Sequence, residues 1–228
     1  IVGCVEPTIP GKSFCSTDAA LFNLPLCLVL ALNRGRRFGS RTRLGAPTPD
    51  PSRFTSMKEV LDAFRVQVEF MVKRLIADIQ VIEKGNRDFH PTPFSSMLVD
   101  GCVDTGRDVT AGGAIYNSSG IQGVGVADVA DSLAALDDVV FTRRLHTLTQ
   151  VIEALKDNFS RNAALQARLS SAPKFGNDHA LPDGYGQLVV RMFHDALIRY
   201  TNSRGGPYIS GFYSSTCHVG FGSRTEAL

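Results

Sequence analysis

The chain has 228 residues, of which 43% are hydrophobic and 20% charged, with 24 Lys and Arg against 22 Asp and Glu. These proportions exclude wholesale disorder and fibrous repeats, and a net charge of +2 is too balanced for a nucleic-acid binder, which needs a basic surface to displace counterions. The length suits one large domain or two small ones, and five cysteines with no disulfide or zinc spacing point to a reducing compartment.

The chain opens on a loop, Gly3-Cys4-Val5-Glu6-Pro7, with Pro10 and Gly11 just beyond. It has no initiator Met, so it reads as the middle of something longer. In an extended loop the side chains at i and i+2 face the same way, so the Cys4 thiol and the Glu6 carboxylate would converge on one point. A thiol can exchange a hydrogen atom and a carboxylate can accept a proton. Taken alone, Cys-x-Glu also fits an inert buried Cys beside a surface Glu. The most apolar run, residues 19–32, is 14 residues long and contains Asn23 and Pro25, which is short of the roughly 20 apolar residues that a membrane span needs.

Five segments show helical spacing. Leu21, Leu24, Leu28 and Leu32 form the first, with Pro25 as a kink or first turn and Gly35 as a C-cap. The second steps by three or four through Leu61, Phe64, Val68, Met71, Leu75, Ile79 and Ile82; Ser56 with Glu59 caps it and Gly85 closes it. Val129, Leu133, Leu136 and Val140 predict a third helix over about 128–141. Leu145, Leu148, Ile152 and Leu155 predict a fourth, and Val189, Phe193 and Leu197 a fifth. Between them, residues 34–52 form an Arg- and Pro-rich exposed loop. Residues 94–103 predict a short buried strand, 105–127 a strand with tight turns, and 207–222 another buried strand. Helices alternating with short apolar runs make the fold class α/β.

Other motifs favour bland readings. Gly120-Ile-Gln-Gly123-Val-Gly125 leads into the third helix, but its spacing is neither the dinucleotide fingerprint nor the P-loop, so close backbone packing is preferred to a phosphate cradle. Asn117-Ser118-Ser119 matches a glycosylation sequon, which has no meaning in a reducing compartment. Cys217-His218 resembles a nucleophile–base pair, yet neighbours in a strand point to opposite faces. His90, His146, His179 and His194 lack metal-ligand spacing.

Read together, these blocks resemble the glycyl radical enzymes. The Cys4–Glu6 loop with Pro10-Gly11-Lys12 and Asp18-Ala19-Ala20 is similar to their thiyl loop, closest to the glycerol/propanediol dehydratase and choline trimethylamine-lyase branch. Thr92-Pro93-Phe94, Asp100-Gly101-Cys102, residues 112–117, the long block 120–135, Pro173 to Asp178, Gly211-Phe212-Tyr213, His218-Val219 and Thr225 to Leu228 follow in the family's order and cover nearly the whole chain. The resemblance implies a portion of a ten-stranded β/α barrel, with 1–228 part of a single pyruvate formate-lyase-type domain and the Cys loop at 1–18 entering its centre. The Arg-Val-Ser-Gly-Tyr-type segment that bears the glycyl radical is not in this sequence, so an internal fragment, inactive alone, is expected.

By the same resemblance, Cys4 becomes the transient thiyl radical and Glu6 the general base on a substrate hydroxyl, with a pKa near the working pH. Asp18 binds a substrate hydroxyl, although a helix cap is an equal alternative, and Tyr213 lines the pocket. Thr17 and Leu21 depart from the dehydratase pattern and leave the substrate open, while Gly3 and Val5 around Cys4 disfavour formate-releasing acyl transfer. The implied activity is a radical C–O, C–N or C–S lyase acting on a small molecule. Arylacetate decarboxylation and a non-catalytic paralogue kept for binding are the alternatives, and a Cys hydrolase lacks a convincing His. No bound cofactor is expected beyond a glycyl radical installed by an iron–sulfur activase that uses S-adenosylmethionine. A homodimeric parent, no nucleic-acid or membrane partner, and the cytoplasm or a bacterial microcompartment as its location complete the expectation.

Overall fold

A computed structural model of the chain describes residues 6–212 and is mixed α/β. The described residues form two compact units, one of residues 6–22, 72–123 and 193–212, the other of residues 23–71 and 124–192.

The first unit is built on a three-stranded sheet in the order β1 (Ser16–Asn23), β2 (Ser119–Val124), β3 (Tyr208–Phe212). β2 and β3 are parallel, with Ser119 opposite Tyr208 and Gly123 opposite Phe212. Parallel pairing already begins ahead of β1 and β2, where Ser13 bridges Tyr116. Two parallel strands separated by long helical connections are the signature of an α/β arrangement, as the alternation in the sequence predicts. Ile121 and Tyr208 are fully buried in the sheet. The Phe193 ring packs 4.8 Å from Phe22 and 5.7 Å, edge-on, from Phe212. A Cβ at Gly123 would meet both the Phe212 and Phe193 rings, so this glycine makes room for the aromatic cluster.

The buried strand expected over 94–103 is not formed. Pro93–Met97 is instead a short helix, α3, with proline in its first turn, and Cys102–Thr105 is another, α4. Phe94, Met97, Leu98 and Val103 are exposed, at 66–74%. A short apolar run does not distinguish strand from helix, and here the Asp108 carboxylate decides locally. It accepts hydrogen bonds from the Thr92 N–H (2.9 Å), the Ser96 hydroxyl (2.8 Å) and the Thr110 N–H (2.8 Å), drawing the chain into turns. Burial pushes this carboxyl up, but the donors, Thr110 foremost, hold it below the usual carboxylate range.

In the second unit, α1 (Leu24–Ala31) starts where the Asn23 side chain accepts from the Leu26 N–H at 2.9 Å, with Pro25 in the first turn where its missing N–H costs nothing. Asn23, not Asp18, is therefore the cap; Asp18 and Leu21 lie in β1. Gly35, at φ +78°, closes the helix by donating to the Leu30 carbonyl at 2.7 Å. The first part of α2 (Met57–Phe89) belongs here and the rest to the first unit. At its start Glu59 accepts from the Thr55 and Ser56 N–H groups at 2.7 and 3.0 Å. Its buried face is Val60, Ala63, Phe64, Gln67, Val68, Val72, Ile76, Ile79 and Glu83; of the expected stripe, Leu61, Met71 and Leu75 are half-buried and Ile82 is exposed, and a carboxylate takes the next buried place. Gly85 does not close α2: the helix runs four residues further, to the approach of Pro91, which disfavours helical backbone before it.

α5 (Val126–Leu136) continues into a π-helical turn, Asp137–Thr142, and so covers the predicted third helix. α6 (Leu148–Lys156) is the fourth; Thr147 and Gln150 form a reciprocal capping box. α7 (Ala163–Ser170) was not legible from apolar spacing, and α8 (Ala180–Leu197) contains the fifth. Residues 34–52 carry no regular element except the first two residues of a short 3-10 turn, Pro51–Arg53. Among the described residues no helix is long and apolar enough to cross a membrane.

Candidate functional site

Glu6 is 1% exposed, although it belongs to a loop. A buried carboxylate must find donors, and here they come from two strands. The Asp18 N–H of β1 donates to Glu6 Oε1 at 3.1 Å, and the Gln122 side-chain amide of β2 donates to the same oxygen. Asp18 sits at φ +48°, a left-handed conformation within β1 that directs its N–H away from regular pairing. Its own side chain is exposed. Gly120, two residues before Gln122 and hence on the same face of β2, has no side chain where one would land on the Glu6 carboxylate. The glycine stretch is thus used for close approach, as predicted, and the group that approaches is the expected general base.

Of the four predicted site residues, Glu6 and Asp18 are brought together, through the backbone of Asp18. Cys4 and Tyr213 lie outside the described residues, as do Cys217 and His218. Gln122 was missed by the sequence reading. Its signal was present: Gly120 and Gln122 alternate within a predicted strand, which puts both on one face. Two other cysteines are poor nucleophiles. Burial pushes the Cys27 thiol up to about 12, and burial with the nearby Asp108 raises Cys102 as well. Among the described residues, no group of three His, Cys, Asp or Glu side chains could hold a metal ion.

The opposite face of β2 meets a second buried carboxylate. Glu83 of α2 pairs with Arg204 at 3.0 Å, both side chains being 4% exposed. It also accepts from the Ser119 hydroxyl (2.6 Å), the Ser203 N–H (3.0 Å) and the Ser203 hydroxyl (2.8 Å). Arg204 donates further to the Ser118 carbonyl at 2.9 Å and the Ser119 hydroxyl at 3.0 Å. Burial alone would raise the Glu83 carboxyl, but Ser119, Ser203 and Arg204 hold it below the usual carboxylate range. These contacts fix the start of β2 against α2 and the 202–206 turn.

The sequence matches a family model described as pyruvate formate lyase-like over residues 1–222. It is 31% identical over 233 residues to the (2S)-3-sulfopropanediol dehydratase of Klebsiella oxytoca, covering 100% of this chain and 28% of that protein. The glycerol-bound structure of the B12-independent glycerol dehydratase from Clostridium butyricum superposes with a TM-score of 0.90 at 34% identity, over 98% of this chain and 29% of the other. A glycyl radical enzyme structure from Archaeoglobus fulgidus superposes with a TM-score of 0.87 at 36% identity, over 94% of this chain and 27% of that one. The chain thus spans somewhat more than a quarter of the proteins it matches. The likeness runs through nearly all of the sequence and holds in three dimensions, and on that ground the chain belongs to the pyruvate formate-lyase-like, glycyl radical enzyme family.

Proposed function

We propose that this chain supplies the thiyl loop of a glycyl radical lyase, with Cys4 as hydrogen-atom carrier and Glu6 as general base. The observation that carries the reading is the Glu6 carboxylate, buried two residues from Cys4 and held by donors from two strands. A carboxylate taken out of water at some energetic cost, inside a loop, is an arrangement expected of a functional group. The likeness to a sulfopropanediol dehydratase and a glycerol dehydratase supports elimination from a small hydroxylated substrate.

In the reaction, the Cys4 thiyl radical takes a hydrogen atom from the substrate carbon that bears a hydroxyl, leaving a carbon radical and a Cys4 thiol. Glu6 accepts the hydroxyl proton. The carbon radical, now bearing an oxyanion, expels the group on the adjacent carbon together with its bonding electron pair, and the unpaired electron stays on the product. The product radical takes the hydrogen atom back from Cys4. Water, an amine or sulfite are the candidate leaving groups; when hydroxide leaves, the proton on Glu6 completes it as water. The exposed Asp18 carboxylate binds a substrate hydroxyl, and Tyr213 lines the same pocket. The family's glycyl radical, installed by an S-adenosylmethionine-dependent iron–sulfur activase, supplies the unpaired electron that Cys4 uses. Hydrogen transfer demands close approach, so a displacement of the loop by about 1 Å would cost on the order of 10²-fold in rate.

The same reading makes residues 1–228 part of one ten-stranded barrel domain, with β1, β2 and β3 as three of its strands and the glycyl segment elsewhere in a homodimeric parent in the cytoplasm or a microcompartment. The test is anaerobic activation of the full-length protein, with electron paramagnetic resonance for the glycyl radical and product analysis on diol, hydroxysulfonate and amino-alcohol substrates. Elimination products that vanish in Cys4→Ala and in Glu6→Gln, with the radical signal retained, are expected. Turnover by Glu6→Gln at the parent rate would overturn the assignment of the base.

A further inference from the structure

We infer that Gln122 is the positioning residue for Glu6, and that Gly120 and Gln122 together form a carboxylate cradle on one face of β2. The inference rests on the reading of Glu6 as general base and names what holds it.

Three observations converge. The Gln122 amide donates to Glu6 Oε1, and the side chain is fully buried. A Cβ at Gly120 would occupy the place of the same carboxylate. The other half of the Gln122 amide, Oε1, is buried and has no hydrogen-bond partner among the described residues. If space filling were the only requirement, Met or Leu would fill this volume without burying a polar amide. The donor to Glu6 explains why an amide stands here, and it fixes the orientation, since the flipped amide would set two acceptor oxygens against each other.

The cradle is also pre-organised. Gly120 and Gln122 sit opposite Ile209 and Gly211 in the parallel ladder with β3. Ser119, one residue before, is tied on the opposite face to Glu83, Arg204 and Asn202. Both faces of the strand are therefore anchored, so Gln122 presents its amide from a rigid element. Gln122 and the Asp18 N–H hold the same oxygen, Oε1, from two strands, which fixes where that oxygen sits.

The experiment uses the activated full-length protein and compares Gln122→Met, Gln122→Asn and Glu6→Gln. Gln122→Met keeps the volume and removes the donor; Gln122→Asn keeps an amide but retracts it by one methylene. For Gln122→Met a fall in kcat of about 10- to 100-fold is expected, with KM changed less than about threefold and the glycyl radical signal per subunit unchanged. Gln122→Asn gives a smaller fall of the same kind, and it decides the matter if Gln122→Met does not fold. Parent-level kcat in both Gln122 variants, with Glu6→Gln inactive, overturns the role of Gln122 and leaves the general base in place. Loss of radical signal in step with kcat also overturns it, because the residue would then be merely structural. Full turnover by Glu6→Gln overturns the underlying reading instead.

Discussion

β2 is flanked by two buried glutamates, one met by Ser119 and the other by Gln122 on its opposite face. Glu83 is saturated: a guanidinium, two hydroxyls and a backbone N–H converge on its two oxygens. Glu6 takes a backbone N–H from β1 and a side-chain amide from β2 at Oε1. A carboxylate locked by a cation and several donors stays ionised and serves architecture, because every one of those bonds must be lost to protonate it. Glu6 instead stands two residues from Cys4, where the proposed general base is needed. The contrast shows that burial of an acid does not by itself mark a functional group; what separates Glu6 from Glu83 is its place in the chain, two residues from Cys4.

The contrast can be broken most sharply at Arg204. Arg204→Ala strands Glu83 in the interior and is expected to cost about 3–5 kcal/mol of stability, read as a large fall in Tm or loss of folded protein. Glu6→Gln tests the other side. It is expected to lower kcat by about 10²- to 10⁴-fold with a smaller fall in Tm than Arg204→Ala, since the isosteric amide still offers an oxygen to the Asp18 N–H and the Gln122 amide. Ser119→Ala removes one charge-assisted hydrogen bond to Glu83 and is expected to cost about 1.5–3 kcal/mol, measured by denaturant unfolding.

The pH dependence is the gentlest probe. The folded Glu83 carboxyl lies below its usual value, so its contribution to stability is fully present above about pH 4.3 and is lost as pH falls through the folded value. Unfolding midpoints measured from pH 6 downward should drop in the parent, and drop less steeply in Glu83→Gln, which has no proton to take up. A parallel acid response in both proteins would mean that Glu83 is not the locked group of the pair.

Legibility in the sequence followed the same divide between local and distant causes. The apolar steps of α2 and the glycine approach of β2 are local patterns and could be read directly. Glu83 was invisible because Arg204 is 121 residues away, and its place in the buried face of α2 was assigned to Ile82 next to it. The 94–103 segment failed because its apolar residues are exposed, so the assumption that they must be buried chose the wrong element. α7 has one buried apolar residue, Leu165, which is too little for a periodicity to show. Thr147-x-x-Gln150 carried a readable capping signal that hydrophobic spacing alone overlooks. At the site, Cys-x-Glu pointed to the carboxylate, whereas the role of Asp18 as a backbone donor could not be foreseen from its acidic side chain.

The left-handed turn at Asp18 makes its amide proton a natural reporter. Because that proton is committed to Glu6 rather than to a neighbouring strand, its exchange with deuterated solvent tracks the carboxylate alone. A ligand or substitution that swings Glu6 away would unprotect this single amide while the flanking strand protons stay slow. Movement of the acid could then be followed in the resting protein, without turnover and without oxygen-free handling.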